Sequence, residues 1–194
     1  RVTVTGKGGH SWANAGIPSA IHHLARLIAR MDDIPLHEEP KTSFNAGLVE
    51  GGISVNTIAP KATAVLDMRS TSAEALADLV SEVERVLAMP APAGNSVSVE
   101  VVGDRHAGEL PADSGLVPVA TRVLRDLGVE VHYDASSTDA NIPISRGIPS
   151  ICIGLTTGGN VHREDEYIDV SPLVKGFAQL LLLTVQAADE LAAS

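Results

Sequence analysis

Two histidines stand where neither packing nor a helix surface accounts for them. His10 follows Gly6, Gly8 and Gly9 in "TGKGGHSWANAG" and comes just before a segment with helical spacing. Neither a strand core nor a helix face calls for an imidazole there, so His10 is a candidate for chemistry. His162 follows "TTGGN" in a polar loop after an apolar run and is trailed by Glu164, Asp165 and Glu166. Open α/β sheets place their sites in loops at the carboxyl ends of strands. Two readings of His162 stand side by side: a ligand or catalytic group, and a loop histidine satisfied by its neighbours.

The remaining residues with chemical potential offer less. There is no H-E-x-x-H and no cysteine cluster among the seven histidines and single cysteine. His22 and His23 are adjacent on an expected helix, so their side chains diverge by about 100° and cannot chelate together. Both are expected on the helix surface. His37, His106 and His132 are expected to be structural or exposed. Ser11, Ser136 and Ser137 lie near histidine or aspartate, but none sits in a G-x-S-x-G elbow. In "SSTDA", Thr138 and Asp139 fall at a helix start, suited either to an anion or to ordinary capping. The glycines before His10 lack both G-K-[ST] and dinucleotide spacing, so they make no phosphate loop.

The elements that must carry these residues follow from periodicity. "RVTVTG" alternates and is β-branched, predicting a strand. Residues 17–33 carry Ile17, Ile21, Leu24, Leu27, Ile28 and Met31 at helical spacing, with Pro18 in the first turn. "KTSFNAGLVEGG" predicts a second strand. "KATAVLDMRS" predicts a third, with Ala62, Ala64, Leu66 and Met68 on one face. Residues 71–89 predict a capped helix in which Glu74 completes a capping box. "SVSVEVVG", after "APAGN", predicts a fourth strand. The order β-α-β-β-α-β over residues 1–103 is the ferredoxin-like pattern, one sheet with both helices on a single face. Its edge strands are able to pair across a dimer.

After the linker at 103–115 the texture changes. Residues 113–127 predict a helix, "VEVHYD" a short strand, 139–146 a helical turn, "SICIGL" a buried strand, and about 171–192 a final helix. Two or three strands make a poor free-standing sheet. Together with the strand-like start at Arg1, this predicts that residues 104–194 close a larger α/β domain whose amino-terminal part precedes the chain.

Composition narrows the classes. Apolar residues are 44% of the 194, enough for a packed core. A net charge of −10 and 3% aromatics disfavour nucleic-acid and anionic-membrane partners, which need basic patches and stacking rings. No apolar run approaches the roughly 20 residues of a membrane span. One cysteine, Cys152, excludes an internal disulfide and fits a reducing, cytoplasmic setting.

"GKGGHSWANAGIPSAI", "FNAGLVEGGISVNTIAPKATAVLDMRS", "SSTDANIP" and "GGNVHREDEYID" occur in that order across essentially the whole chain. Together they resemble the dimeric zinc metallopeptidases and deacylases, which include peptidase T, carboxypeptidase G, acetylornithine deacetylase and succinyl-diaminopimelate desuccinylase. The resemblance implies a dimerisation or lid domain over 1–103 and the closing segment of an α/β zinc-hydrolase domain over 104–194. It implies a homodimer acting on a small peptide or N-acyl amino acid. His10 matches the histidine that reaches into the partner's active site and stabilises the oxyanion. His162 matches the last zinc ligand. Asn56 and Arg69 match positions that touch substrate, as a neutral donor and a planar fork. Without the resemblance they would read as a turn asparagine and a strand-surface arginine. Ser137, Thr138, Asp139 and Asn141 match the border of the substrate pocket.

The chain departs from that family in two ways. Nothing in it corresponds to the other metal ligands or the general-base glutamate, and one histidine cannot hold two zinc ions. Asn141 stands where several deacylases carry an arginine, which puts a free substrate carboxylate there in doubt. The expectation is a portion of an amidohydrolase or peptidase that is inactive alone. The alternatives are a non-catalytic dimerisation or binding module, and a ferredoxin-like ligand sensor that leaves the second half unexplained.

Overall fold

The computed structural model describes residues 1–193 and divides into two compact units, Arg1–Ala107 and Gly108–Ser194. In the first unit, β1 (Val2–Thr5), β3 (Thr42–Gly51), β5 (Lys61–Ser70) and β6 (Ser96–Val99) form one sheet in the order β3-β5-β1-β6. Every pairing in it is antiparallel. Counting only these four strands, the order is that of a ferredoxin-like sheet, with the first strand between the third and the fourth.

Helices α1 (Ala20–Asp32) and α2 (Ala73–Leu87) supply one apolar stripe each. Leu24, Leu27 and Met31 of α1 and Leu79, Val83 and Val86 of α2 cluster with Val2, Val4, Ala62 and Ala64 of the sheet. Ala62 and Ala64, with Leu66 and Met68 partly buried beside them, form the core face that alternation predicts. Small residues at the sheet centre let the helices approach, and each fully buried leucine contributes about 1.5–3 kcal/mol.

Several local expectations are corrected. Helix α1 begins at Ala20, and Pro18 lies before the cap residue Ser19, not inside the first turn. Ser72 caps α2 by accepting from the Ala75 N–H at 3.3 Å. That places Glu74 one position too early for a capping box, although its charge still suits the first turn. Strand β6 stops at Val99, well short of 103. Gly47 forms a bulge in β3 between Ala46 and Leu48, and beyond it Leu48 and Val49 are exposed.

The second unit is thinner. α3 (Leu116–Asp126) and α5 (Leu173–Ala193) pack through Val119, Ala120, Val123 and Leu183. α4 (Asn141–Ser145) is little more than one turn, and β7 (Gly158–Gly159) pairs with β8 (Tyr167–Ile168) in a short hairpin. "VEVHYD" and "SICIGL" are not strands. An apolar run forms a buried strand only where neighbouring strands accept its backbone bonds, and among the described residues none pairs with it. Ile151 and Ile153 instead pack on the α3–α5 cluster. The Gln179 side chain donates to the Gly154 carbonyl at 3.0 Å, and a side chain on Gly176 would collide with the Leu155 carbonyl. Among the described residues no helix is long and apolar enough to cross a membrane.

Candidate functional site

His10 lies in a two-residue strand, β2 (Gly9–His10), paired antiparallel with β4 (Thr57–Ile58). His10 is opposite Thr57, and the next rung is a Ser11 N–H donating to the Asn56 carbonyl at 2.9 Å. The ribbon therefore brings His10 and Asn56, 46 positions apart in sequence, to the same tip. Gly8 and Gly9 lead into it with φ of 69° and 154°, conformations that L side chains rarely adopt. A Cβ on Gly9 would also press on Asn14.

Four hydrogen bonds hold His10 in place. Asn14 accepts from the His10 N–H through Oδ1 at 2.9 Å, and its own N–H donates to the His10 carbonyl at 2.9 Å. The Trp12 and Ala13 N–H groups donate to His10 Nδ1 at 3.2 and 3.3 Å. Two donors on Nδ1 leave the ring proton of the neutral imidazole on Nε2. The side chain is exposed, so a single fixed N–H donor faces outward from the tip. Asn14 was not anticipated from the sequence. Its signal was available, as an amide four residues after the histidine in a glycine turn.

Asn56 is itself oriented, with its Oδ1 accepting from the Ser54 hydroxyl at 2.9 Å. Three large apolar side chains surround the tip in sequence and are exposed: Trp12, Ile53 and Val55.

Arg69 is not part of this cluster. It lies at the far end of β5 from Lys61, roughly 26 Å along the strand at about 3.3 Å per residue. There it pairs with Asp67 on the same face at 2.7 Å, both side chains exposed. Such a pair contributes about 0–1 kcal/mol, so its fork remains available to another carboxylate.

In the second unit, Asn141 Oδ1 accepts from the Thr138 N–H at 2.7 Å, and Thr138 Oγ1 accepts from the Ala140 N–H at 3.2 Å. Thr138 and Asn141 thus fold the entry to α4. Asp139 is exposed in that turn, and Ser137 precedes it. His162 lies in the loop of the β7–β8 hairpin with φ 66°, beside Asn160 at 59°. Its N–H donates to Glu166 at 3.2 Å. Asp165 is engaged by Arg163 at 2.9 Å and by the Asn160 amide at 2.9 Å. Among the described residues no three His, Cys, Asp or Glu side chains converge as a metal site. The residues present therefore do not fit a two-metal centre on their own; His162 offers one exposed imidazole.

Two other histidines differ from expectation. His132 meets Glu130 at 3.5 Å, both exposed. His23 is buried at 5% exposure, not on the helix surface.

Residues 1–95 match the family model of the peptidase dimerisation domain. The first unit carries a peptidase dimerisation domain. No curated protein matches the sequence. Solved structures extend the likeness beyond the dimerisation domain. An aminopeptidase PepT from Bacillus cereus is 24% identical over 96% of this chain and 50% of its own, with a TM-score of 0.67. A tripeptidase from Staphylococcus aureus is 21% identical over 97% of this chain and 50% of its own, TM-score 0.68. An amidase of the hydantoinase/carbamoylase family from Burkholderia vietnamiensis is 18% identical over 96% and 46%, TM-score 0.67. The chain shares their fold and spans about half their length.

Proposed function

We propose that these residues are the carboxyl-terminal portion of a metal-dependent amidohydrolase or peptidase that cleaves an amide bond in a small peptide or N-acyl amino acid. The dimerisation domain pairs two copies through it, and His10 of one copy serves the active site of the other. The likeness to peptidases and amidases supports the reaction class. The observation that carries the reading is the fixed His10 tip: its Nδ1 accepts two backbone N–H groups, leaving Nε2–H to donate outward.

An amide carbonyl oxygen gains negative charge as its carbon becomes tetrahedral. A neutral donor already aimed at that oxygen strengthens its bond as charge develops, and no solvent must reorganise. His10 performs this role without giving up its proton. Asn56, fixed at the same tip, is the second donor toward substrate. Arg69, far along the sheet within one copy, binds a substrate carboxylate only at a site assembled from more than one element. Ser137, Thr138, Asp139 and Asn141 border the pocket, with the α4 entry held by Thr138 and Asn141. Residues 104–194 close the catalytic domain. His162 is the one metal ligand they supply, and the others come from the portion that precedes them. Alone, the 194 residues are expected to hydrolyse nothing. The enzyme is expected to act in the cytoplasm.

The test begins with the native protein. A polypeptide of about twice the 20.1 kDa of these residues is expected, since the chain spans half of the solved peptidases. In that protein His10→Ala should lower kcat by about 10²–10³-fold with dimers intact by sedimentation. An unchanged kcat in an intact dimer would remove the oxyanion role. A native mass of 20.1 kDa without hydrolysis would leave a dimerisation module.

A further inference from the structure

α1 hides a basic pocket that the His10 tip does not use. His23 is 5% exposed, and its Nδ1 is buried without a hydrogen-bond partner. It lines a cavity of about 100 Å³, together with Arg26 and Arg30 of the same helix and a wall of Met89, Pro90 and Pro92 beyond α2. Residues 23, 26 and 30 are three and seven apart, which puts them on one helix face. Leu27 forms the apolar floor, and no acidic side chain lines the cavity.

Arg26 and Arg30 form no ion pair among the described residues; Arg30 reaches only the Met89 sulfur, at 3.2 Å. In a chain of net charge −10, two unmatched guanidinium groups beside an orphaned imidazole nitrogen are a local reversal of sign. Guanidinium forks match oxyanions in geometry as well as charge. At about 100 Å³ the cavity is of a size for one small oxyanion.

We propose that this pocket binds a single oxyanion, a phosphate or carboxylate group, held by Arg26 and Arg30 beside the His23 ring that lines the same cavity. The environment of His23 agrees with an unfilled cationic site. Burial first, and then the fields of Arg26 and Arg30, hold its pKa below the ordinary imidazole value. A bound anion cancels those fields.

The 194-residue chain, in buffer free of phosphate and carboxylate, tests this without any hydrolysis assay. Inorganic phosphate and acetate are titrated in parallel while histidine ring signals are followed by NMR. His23 is assigned by the signal lost in His23→Gln. Saturable movement of the His23 signals is expected with phosphate, acetate or both; which anion saturates tells the tetrahedral from the planar source. The exposed pair Arg26→Gln with Arg30→Gln should raise Kd about tenfold or more. Three results would overturn the site: movement that never saturates with either anion, a double variant that binds like the parent, or sodium chloride reproducing the curve, which would mean an adventitious ion only. The outcome is independent of the His10 proposal, which stands or falls on kcat.

Discussion

The two units of this chain have similar lengths and unequal interiors. In Arg1–Ala107, two amphipathic helices cover one face of a four-stranded sheet and close a core with Val2, Val4, Ala62 and Ala64. In Gly108–Ser194, two helices share a small cluster, and among the described residues the only strands are two residues long. Helix α5 shows the contrast on one rod. Gln179 and Leu183 are buried, whereas Val174, Phe177, Leu181 and Val185 form an exposed apolar row at helical spacing. A sheet satisfies its strands with one another inside the first unit. The second unit has apolar surface of the kind that a larger α/β layer would cover.

The largest expected effect separates the two interiors. Leu24 is 1% exposed, so Leu24→Ala should cost about 2–5 kcal/mol in urea unfolding. Leu181 is 56% exposed, and Leu181→Ala should fall within about 0.5 kcal/mol. Equal losses would break the comparison and mean that the α5 row is covered in solution.

A smaller effect tests local design in the first unit. Ser72→Ala removes the side-chain cap of α2 and should cost about 1 kcal/mol. Glu74→Ala should cost less, because Glu74 lies outside a capping box. If Glu74→Ala matched Ser72→Ala, the box expected from the sequence would be restored.

The smallest effect is a pH dependence. His23 has its pKa lowered below 6.5 in the folded chain by burial, with Arg26 and Arg30 adding to it. Between the two pKa values the unfolded chain binds the extra proton, so stability rises with pH there. That contribution is present above about 6.5 and is lost as pH falls toward the folded value. Unfolding free energy in phosphate-free buffer should be lower at pH 5.5 than at pH 7.5, and His23→Gln should narrow the gap.

Periodicity in the sequence was a good guide wherever an element satisfies itself locally. "KATAVLDMRS" alternates and is a strand over Lys61–Ser70. Residues 17–33 and 71–89 have helical stripes and contain α1 and α2. "SICIGL" misled, because a continuous apolar run says that a segment is buried and not what by. His23 misled for a related reason. One polar residue beside another on a helix reads as surface until a loop from elsewhere, here Met89–Pro92, closes over it.

The sequence by itself determined the βαββαβ order, the core-facing residues of the first unit and the glycine turn that sets off His10. These depend on spacings of two and 3.6 residues and on φ values open to glycine, all local properties. Only the tertiary structure decided that His10 and Asn56 share a tip while Arg69 lies at the opposite end of its strand. Only it decided that Asn14 and two backbone N–H groups orient the His10 ring, and that His23 faces a basic cavity. Those facts depend on register and closure between segments tens of residues apart, which no local spacing encodes.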